Sequence, residues 1–209
     1  MASNKKENLN YLHICKSQKV EIARYKNSIF NAAIPLEDKL AIVDFYIFNA
    51  PILKNGVASN GFNKSLKDYE WGTQKNNAAS LERALLKNST LQSFVFIKSN
   101  SISNTLETMD LKDRICIEHE RAVLKLEGKA EIDEAGIFHF SESETRMESF
   151  FRHIRNSLAH NRTYIFENNF ILLEDCDENK NITARLLIKI DTLLNWIKVI
   201  TSKNDCRLT

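Results

Sequence analysis

The sequence predicts a mainly α protein, a helical bundle that carries a small antiparallel β-hairpin or meander near its C-terminus. Three observations lead there. Apolar residues recur at three- and four-residue spacing in several stretches before His160. An almost wholly apolar helix follows Pro35, and the pattern shifts toward strand-like runs mainly after His160. The 209 residues suffice for one domain with a real core, so we read 1–209 as a single domain whose residues 1–10 form a loose N-terminal arm.

Taken in order, residues 11–33 have helical spacing, with Leu12, Cys15, Val20, Ala23, Ser28 and Phe30 at apolar or small positions. Pro35 opens a second helix by fixing φ for a first turn, and Glu37 and Asp38 suit the positive helix end. Leu40, Ile42, Val43, Phe45, Tyr46, Ile47 and Phe48 make that helix apolar almost all round, which places it centrally in the core. Pro51, Gly56 and Gly61 mark a loop. Residues 62–72 read as a short amphipathic helix, and 78–96 as another with Leu81, Leu85, Leu86 and Leu91 on one side. Residues 99–104 form a polar turn, and 111–126 fit a further helix. Periodicity weakens over 128–143, an irregular connection with room for one strand at Ile137-Phe138-His139-Phe140.

Ser141 and Ser143 then offer N-cap hydroxyls to a helix whose Met147, Phe150, Phe151, Ile154 and Leu158 form a core-facing stripe. That helix ends near His160 and Asn161. Tyr164-Ile165-Phe166 and Phe170-Ile171-Leu172-Leu173, joined by Glu167-Asn168-Asn169, read as a hairpin. Residues 175–181 are a polar turn, 182–188 a third strand, and 191–202 a last helix capped by Asp191.

Composition bounds the function. The chain is 43% hydrophobic and 27% charged, as in ordinary soluble proteins. With 29 basic against 27 acidic side chains it is not a protein that coats nucleic acid by charge alone, so any such contact must be local. Cys15, Cys116, Cys176 and Cys206 are scattered, which argues against a zinc site or a disulfide framework and for free thiols in a reducing cytosol. No metal and no cofactor are expected. The polar residues 1–8 contain no apolar core of a secretory signal, and the apolar stretch 40–53 is broken by Asp44, Asn49 and Pro51. A cytoplasmic protein without a membrane partner is therefore expected.

The chemistry concentrates between Phe150 and Arg162, where three arginines and two histidines occur in thirteen residues with no acid. With the apolar residues facing the core, the polar ones are expected to share the opposite side. Asn156 and His160, four apart, lie about 40° from each other round a helix, and Arg152 lies on the same side. Arg155 and His160 are five apart, about 140° round a straight helix. Imidazole can take and return a proton near neutral pH. A guanidinium can hold the charge of a phosphorane-like transition state. Asn156 can orient His160 or a phosphate oxygen. RNA brings its own nucleophile, the 2′-hydroxyl, so cleavage calls for neither a metal nor a protein nucleophile. Spacing alone favours a merely solvated helix face over a catalytic one.

Arg155-Asn156-Ser157-Leu158-Ala159-His160 resembles the R-x4-6-H signature of the HEPN superfamily in its R-N-x-x-x-H form, and the flanking residues 141–202 look like that family's C-terminal part. It is most like stand-alone members associated with plasmid or phage defence. The resemblance implies a bundle whose motifs face each other across a homodimer with a composite active site. It also implies Arg155 and His160 as the catalytic pair with Asn156 in support, and an RNA substrate. Arg152, His153 and Arg162 are the accompanying candidates for RNA or phosphate binding. A dimer would also bridge the 140° gap. In some antitoxin-paired members a tyrosine follows the histidine by two positions; here that place holds Arg162, with Tyr164 the nearest tyrosine, so control by modification there does not carry over. An antitoxin partner of another kind stays open.

The leading expectation is thus a metal-independent endoribonuclease acting as a toxin or abortive-infection effector. The alternative is a non-catalytic HEPN-like module that binds nucleotide or RNA, or scaffolds a partner. A third reading is a helical interaction protein.

Overall fold

The computed structural model describes residues 20–25, 28–53, 63–71, 75–98, 115–118, 121–125, 134–166 and 169–202. Among these are four α-helices, α1 (Leu36–Val43), α2 (Lys75–Lys87), α3 (Arg146–Ala159) and α4 (Ile190–Thr201). There are eight strands: β1 (Val20–Tyr25), β2 (Val95–Ile97), β3 (Ile115–Glu118), β4 (Arg121–Lys125), β5 (Ala135–His139), β6 (Thr163–Ile165), β7 (Phe170–Cys176) and β8 (Ile182–Lys189). Five of them form a mixed sheet in the order β2-β5-β8-β7-β6, in which only β2 and β5 run parallel; β1-β4-β3 form a second, antiparallel sheet.

This overturns the expectation of a mainly α bundle with a small C-terminal hairpin. The physical reason lies in burial. Strands β5, β7 and β8 are buried on both faces and so read as near-continuous apolar runs, without the alternation that marks a half-exposed strand. The expected hairpin exists as β6 and β7 and the expected third strand as β8, but they are the edge and interior of a larger sheet. The helix expected over 111–126 is instead the β3-β4 pair, and within 11–33 the described part is strand β1 followed by a 3-10 turn, Ile29–Asn31. Strand pairing outweighs helical spacing at both places, between near neighbours in β3 and β4 and at long range for β1.

Other boundaries shift too. Residues 63–71 form a turn rather than a helix, held by Asp68, whose carboxylate accepts from the Ser65 N–H and hydroxyl at 2.7 and 2.9 Å. The helix expected over 78–96 stops at Lys87, and its tail is strand β2. The expected turn at 99–104 lies outside the described residues. The helix after Pro35 forms as expected and continues into a wider π-helical turn, Asp44–Phe48. It is not central: Ile42, Phe45 and Tyr46 are buried, while Leu36, Leu40 and Phe48 are exposed.

The main core lies between the four helices and one face of the five-stranded sheet. Phe150 and Trp196 pack edge-on at 5.3 Å between ring centres, with Phe94 and Phe138 around them. Polar tips inside it are satisfied: Trp196 donates to the Leu85 carbonyl at 2.8 Å and Tyr46 to the Leu193 carbonyl at 2.9 Å. The opposite sheet face buries Ile137, Tyr164, Leu172 and Leu187. Helix α4 is not capped by Asp191. Its cap residue is Lys189, whose N–H is held by the buried Glu134 carboxylate at 2.9 Å, and the same oxygen accepts from Thr192 at 2.6 Å.

Candidate active site

Helix α3 carries the motif, and its ends are fixed by local sequence. At the start, Thr145 rather than Ser141 or Ser143 is the N-cap, within a capping box. Its hydroxyl accepts the Glu148 N–H at 3.2 Å and the Glu148 carboxylate accepts the Thr145 N–H at 2.7 Å. The middle is anchored by Met147, Phe150, Phe151, Ile154 and Leu158, all buried as the stripe predicts. At the end, the Arg162 N–H reaches back to the Ser157 carbonyl at 2.7 Å and the Asn161 N–H to the Leu158 carbonyl at 3.1 Å. With Asn161 at φ 54°, this is a Schellman motif. His160 is therefore the C-cap, the last residue before the chain turns into β6.

The polar residues of α3 do not share one acid-free outer face. His153 points inward, 1% exposed, with Nδ1 donating to Asp175 Oδ2 at 2.8 Å and Nε2 2.7 Å from the His139 carbonyl oxygen. Arg152 makes a two-pronged pair with Glu144, its Nε and Nη2 each at 2.8 Å from a carboxylate oxygen. Burial pushes the Glu144 acid group up, but the Arg152 pair and the Ser141 N–H outweigh it and leave it below its ordinary 4.5. The acids missing from the motif segment arrive from the preceding turn and from strand β7.

Asp175 is the centre of this arrangement. It is 3% exposed, and its Oδ2 also accepts the Asn156 Nδ2 at 3.2 Å. Its Oδ1 accepts the Cys176 N–H at 3.0 Å and lies 3.7 Å from the Arg162 guanidinium, which donates to the Cys176 carbonyl at 3.0 Å. A β-bulge follows at once: Asp175 pairs with Ala184 but Cys176 with Ile182, leaving Thr183 as the extra residue.

Arg152, His153, Asn156 and His160 line one cavity of about 810 Å³, together with His139, Asp175 and Thr183. Arg155 and Arg162 are not among its lining residues. Arg155 instead donates from Nη1 to Asn156 Oδ1 at 3.3 Å, and its Nε is buried without a hydrogen-bond partner. His139 enters from the end of β5; burial, then His153 and Arg152 beside it, hold its imidazole below the ordinary 6.5. The cavity thus joins three imidazoles, the Asn156 amide and the Arg152 guanidinium with the carboxylates of Glu144 and Asp175. Among the described residues no three His, Cys, Asp or Glu side chains come together as a metal site requires, and no helix is long and apolar enough to cross a membrane.

Sequence reasoning missed Glu144, His139 and Asp175 as members of the site. Asp175 had a signal: it stands two and four positions after Leu173 and Ile171, which face α3 from the same strand, so period two would place it there.

A family model described as HEPN pEK499 p136 matches residues 7–204. None of the curated proteins and none of the solved structures compared with the chain matches it.

Proposed function

The chain belongs to the HEPN pEK499 p136 family, and from that membership we propose that it is an endoribonuclease whose site is built on the C-terminal turns of α3. The observation that carries this reading is the placing of Asn156 and His160 of the motif on one cavity wall, beside Arg152 and His139. In the proposed reaction the 2′-hydroxyl of RNA attacks the adjacent phosphorus and the bond from phosphorus to the 5′-oxygen breaks. One proton leaves the 2′-oxygen and one reaches the 5′-oxygen. His160 serves this transfer, Arg155 steadies the charge on phosphorus and Asn156 orients its neighbours. His153 supports the wall from within. The products are a 2′,3′-cyclic phosphate, or its opened form, and a 5′-hydroxyl. The attacking oxygen belongs to the substrate, so the scheme does without a metal. A toxin or phage-defence effector is the setting we propose.

We further propose that the site is completed by a second copy of the chain. Arg155 does not line the cavity onto which His160 opens, which supports a homodimer in which each chain supplies what the other lacks. Arg155→Ala and His160→Ala are expected to abolish cleavage while the protein stays folded, and a mixture of the two variants is expected to regain part of it. Equal cleavage by the double variant would refute the assignment.

A second reading has its own support. Arg152 is neutralised by Glu144 and His153 faces Asp175, so two of the groups expected to meet phosphate are already held by acids. This favours the non-catalytic alternative in its partner-scaffolding form, since groups held by acids are poor phosphate ligands. Under it, the wild type leaves oligoribonucleotide whole.

A further inference from the structure

Asn156 stands between a carboxylate and a guanidinium. Its Nδ2 donates to Asp175 Oδ2 at 3.2 Å, and its Oδ1 accepts from Arg155 Nη1 at 3.3 Å. A carboxylate can only accept hydrogen bonds and a guanidinium can only donate them. The amide therefore has one satisfactory orientation, since the flipped form would set oxygen against oxygen and N–H against N–H. We infer that Asp175 is a positioning residue of the site, which fixes the Asn156 amide and through it the Arg155 guanidinium.

Three observations strengthen the chain of contacts. Asp175 is itself held, by His153 Nδ1 at 2.8 Å and by the Cys176 N–H at 3.0 Å, so it is a rigid anchor. It lies on the interior strand β7, next to a bulge, rather than on a loop. Arg155 needs the help: its Nε is buried without a partner, so the bond to Asn156 is the contact that sets its direction. The inference also gives a chemical reason for asparagine at this place in the motif. Aspartate at 156 would face Asp175 with like charge, and a purely apolar residue would remove the Arg155 acceptor and one of the donors to Asp175.

This inference rests on the ribonuclease reading, and its test separates the two. Cleavage of a fluorogenic oligoribonucleotide is measured for the wild type, Asp175→Asn, Asn156→Ala, their combination, and the exchange Asn156→Asp with Asp175→Asn. Melting is followed in parallel. Asp175→Asn is expected to lower kcat about a hundredfold with little change in KM, the scale on which small misplacements act. Asn156→Ala should do the same, and the combined variant should be no slower than either alone. The exchange reverses the polarity of the pair, with the donor on strand β7 and the acceptor on α3, and should recover at least about tenfold over Asp175→Asn alone. A purely structural Asp175 would lower the melting temperature and leave kcat per folded molecule unchanged. An active wild type with an unimpaired Asp175→Asn variant, or losses that multiply, overturns the inference alone. A wild type that leaves RNA whole overturns the ribonuclease reading and the inference with it. Should Asp175→Asn fail to fold, the exchange is compared with Asn156→Ala instead: a gain of about tenfold supports the inference, and no gain, or a fully active Asn156→Ala, overturns it.

Discussion

His153 Nδ1 and Asp175 Oδ2 stand 2.8 Å apart with both side chains at most 4% exposed, so the motif helix is tied to strand β7 by a polar bond sealed inside the fold. Removing His153 takes away the shortest of the hydrogen bonds that hold the buried Asp175 carboxylate and leaves a gap inside the fold. His153→Ala is expected to cost about 3 kcal/mol of unfolding free energy. Denaturant unfolding checks this, and a loss under about 1 kcal/mol would show that the pair does not hold the helix in place.

The turn after His160 depends on Asn161, whose φ of 54° suits asparagine and glycine and penalises branched residues. Asn161→Gly should be close to neutral. Asn161→Val should cost about 1–2 kcal/mol and, by shifting the His160 cap, reduce activity more than stability alone explains. Thermal melts and cleavage rates on the two variants distinguish them.

Acid should weaken the Glu144–Arg152 pair in a defined direction. The Glu144 value in the folded protein lies below its ordinary 4.5, so its contribution is present in full above that value and fades as pH falls through the lowered one. Melting temperatures of the wild type and Glu144→Gln, measured from pH 7 down to 3, should therefore converge at the acid end. Curves that stay parallel would speak against a functioning pair. The effect should be modest, because the Arg152 side chain is 34% exposed.

Cys176 lines the cavity, yet burial, then Glu174 and Asp175 nearby, push its thiol up to about 12. At pH 7 about one thiol in a hundred thousand would be ionised, so alkylation of the native protein should be slow at this residue and rapid once it is unfolded. Peptide mapping after brief iodoacetamide treatment reads the difference. Fast native labelling would mean that the cavity wall opens.

How much of this was legible in the sequence follows from where the information lies. Met147 to Leu158 form a stripe because a helix repeats every 3.6 residues, and the structure buries them as that pattern requires. The nearness of Asn156 and His160 follows from the same geometry, and both line the cavity. Strands β1, β3 and β4 escaped because their short stretches also fit helical spacing; β3 and β4 pair with each other, and β1 is decided by a partner about a hundred residues away, Val20 against Lys125. The doubly buried β8 lacks alternation at Ala184 to Ile188 for a different reason, since both of its faces are covered. Glu144 and Asp175 escaped because charge partners meet in space, not in sequence: the segment from Phe150 to Arg162 holds no acid, and the fold delivers acids to it.

The most direct measurement is the chemistry of the RNA ends left by purified protein, wild type against His160→Ala, with a chelator present. The account predicts that the wild type yields fragments with a 2′,3′-cyclic or opened phosphate and a 5′-hydroxyl, and that the variant yields none. Intact RNA from the wild type, fragments with a 5′-phosphate and 3′-hydroxyl, or undiminished cleavage by His160→Ala would contradict it.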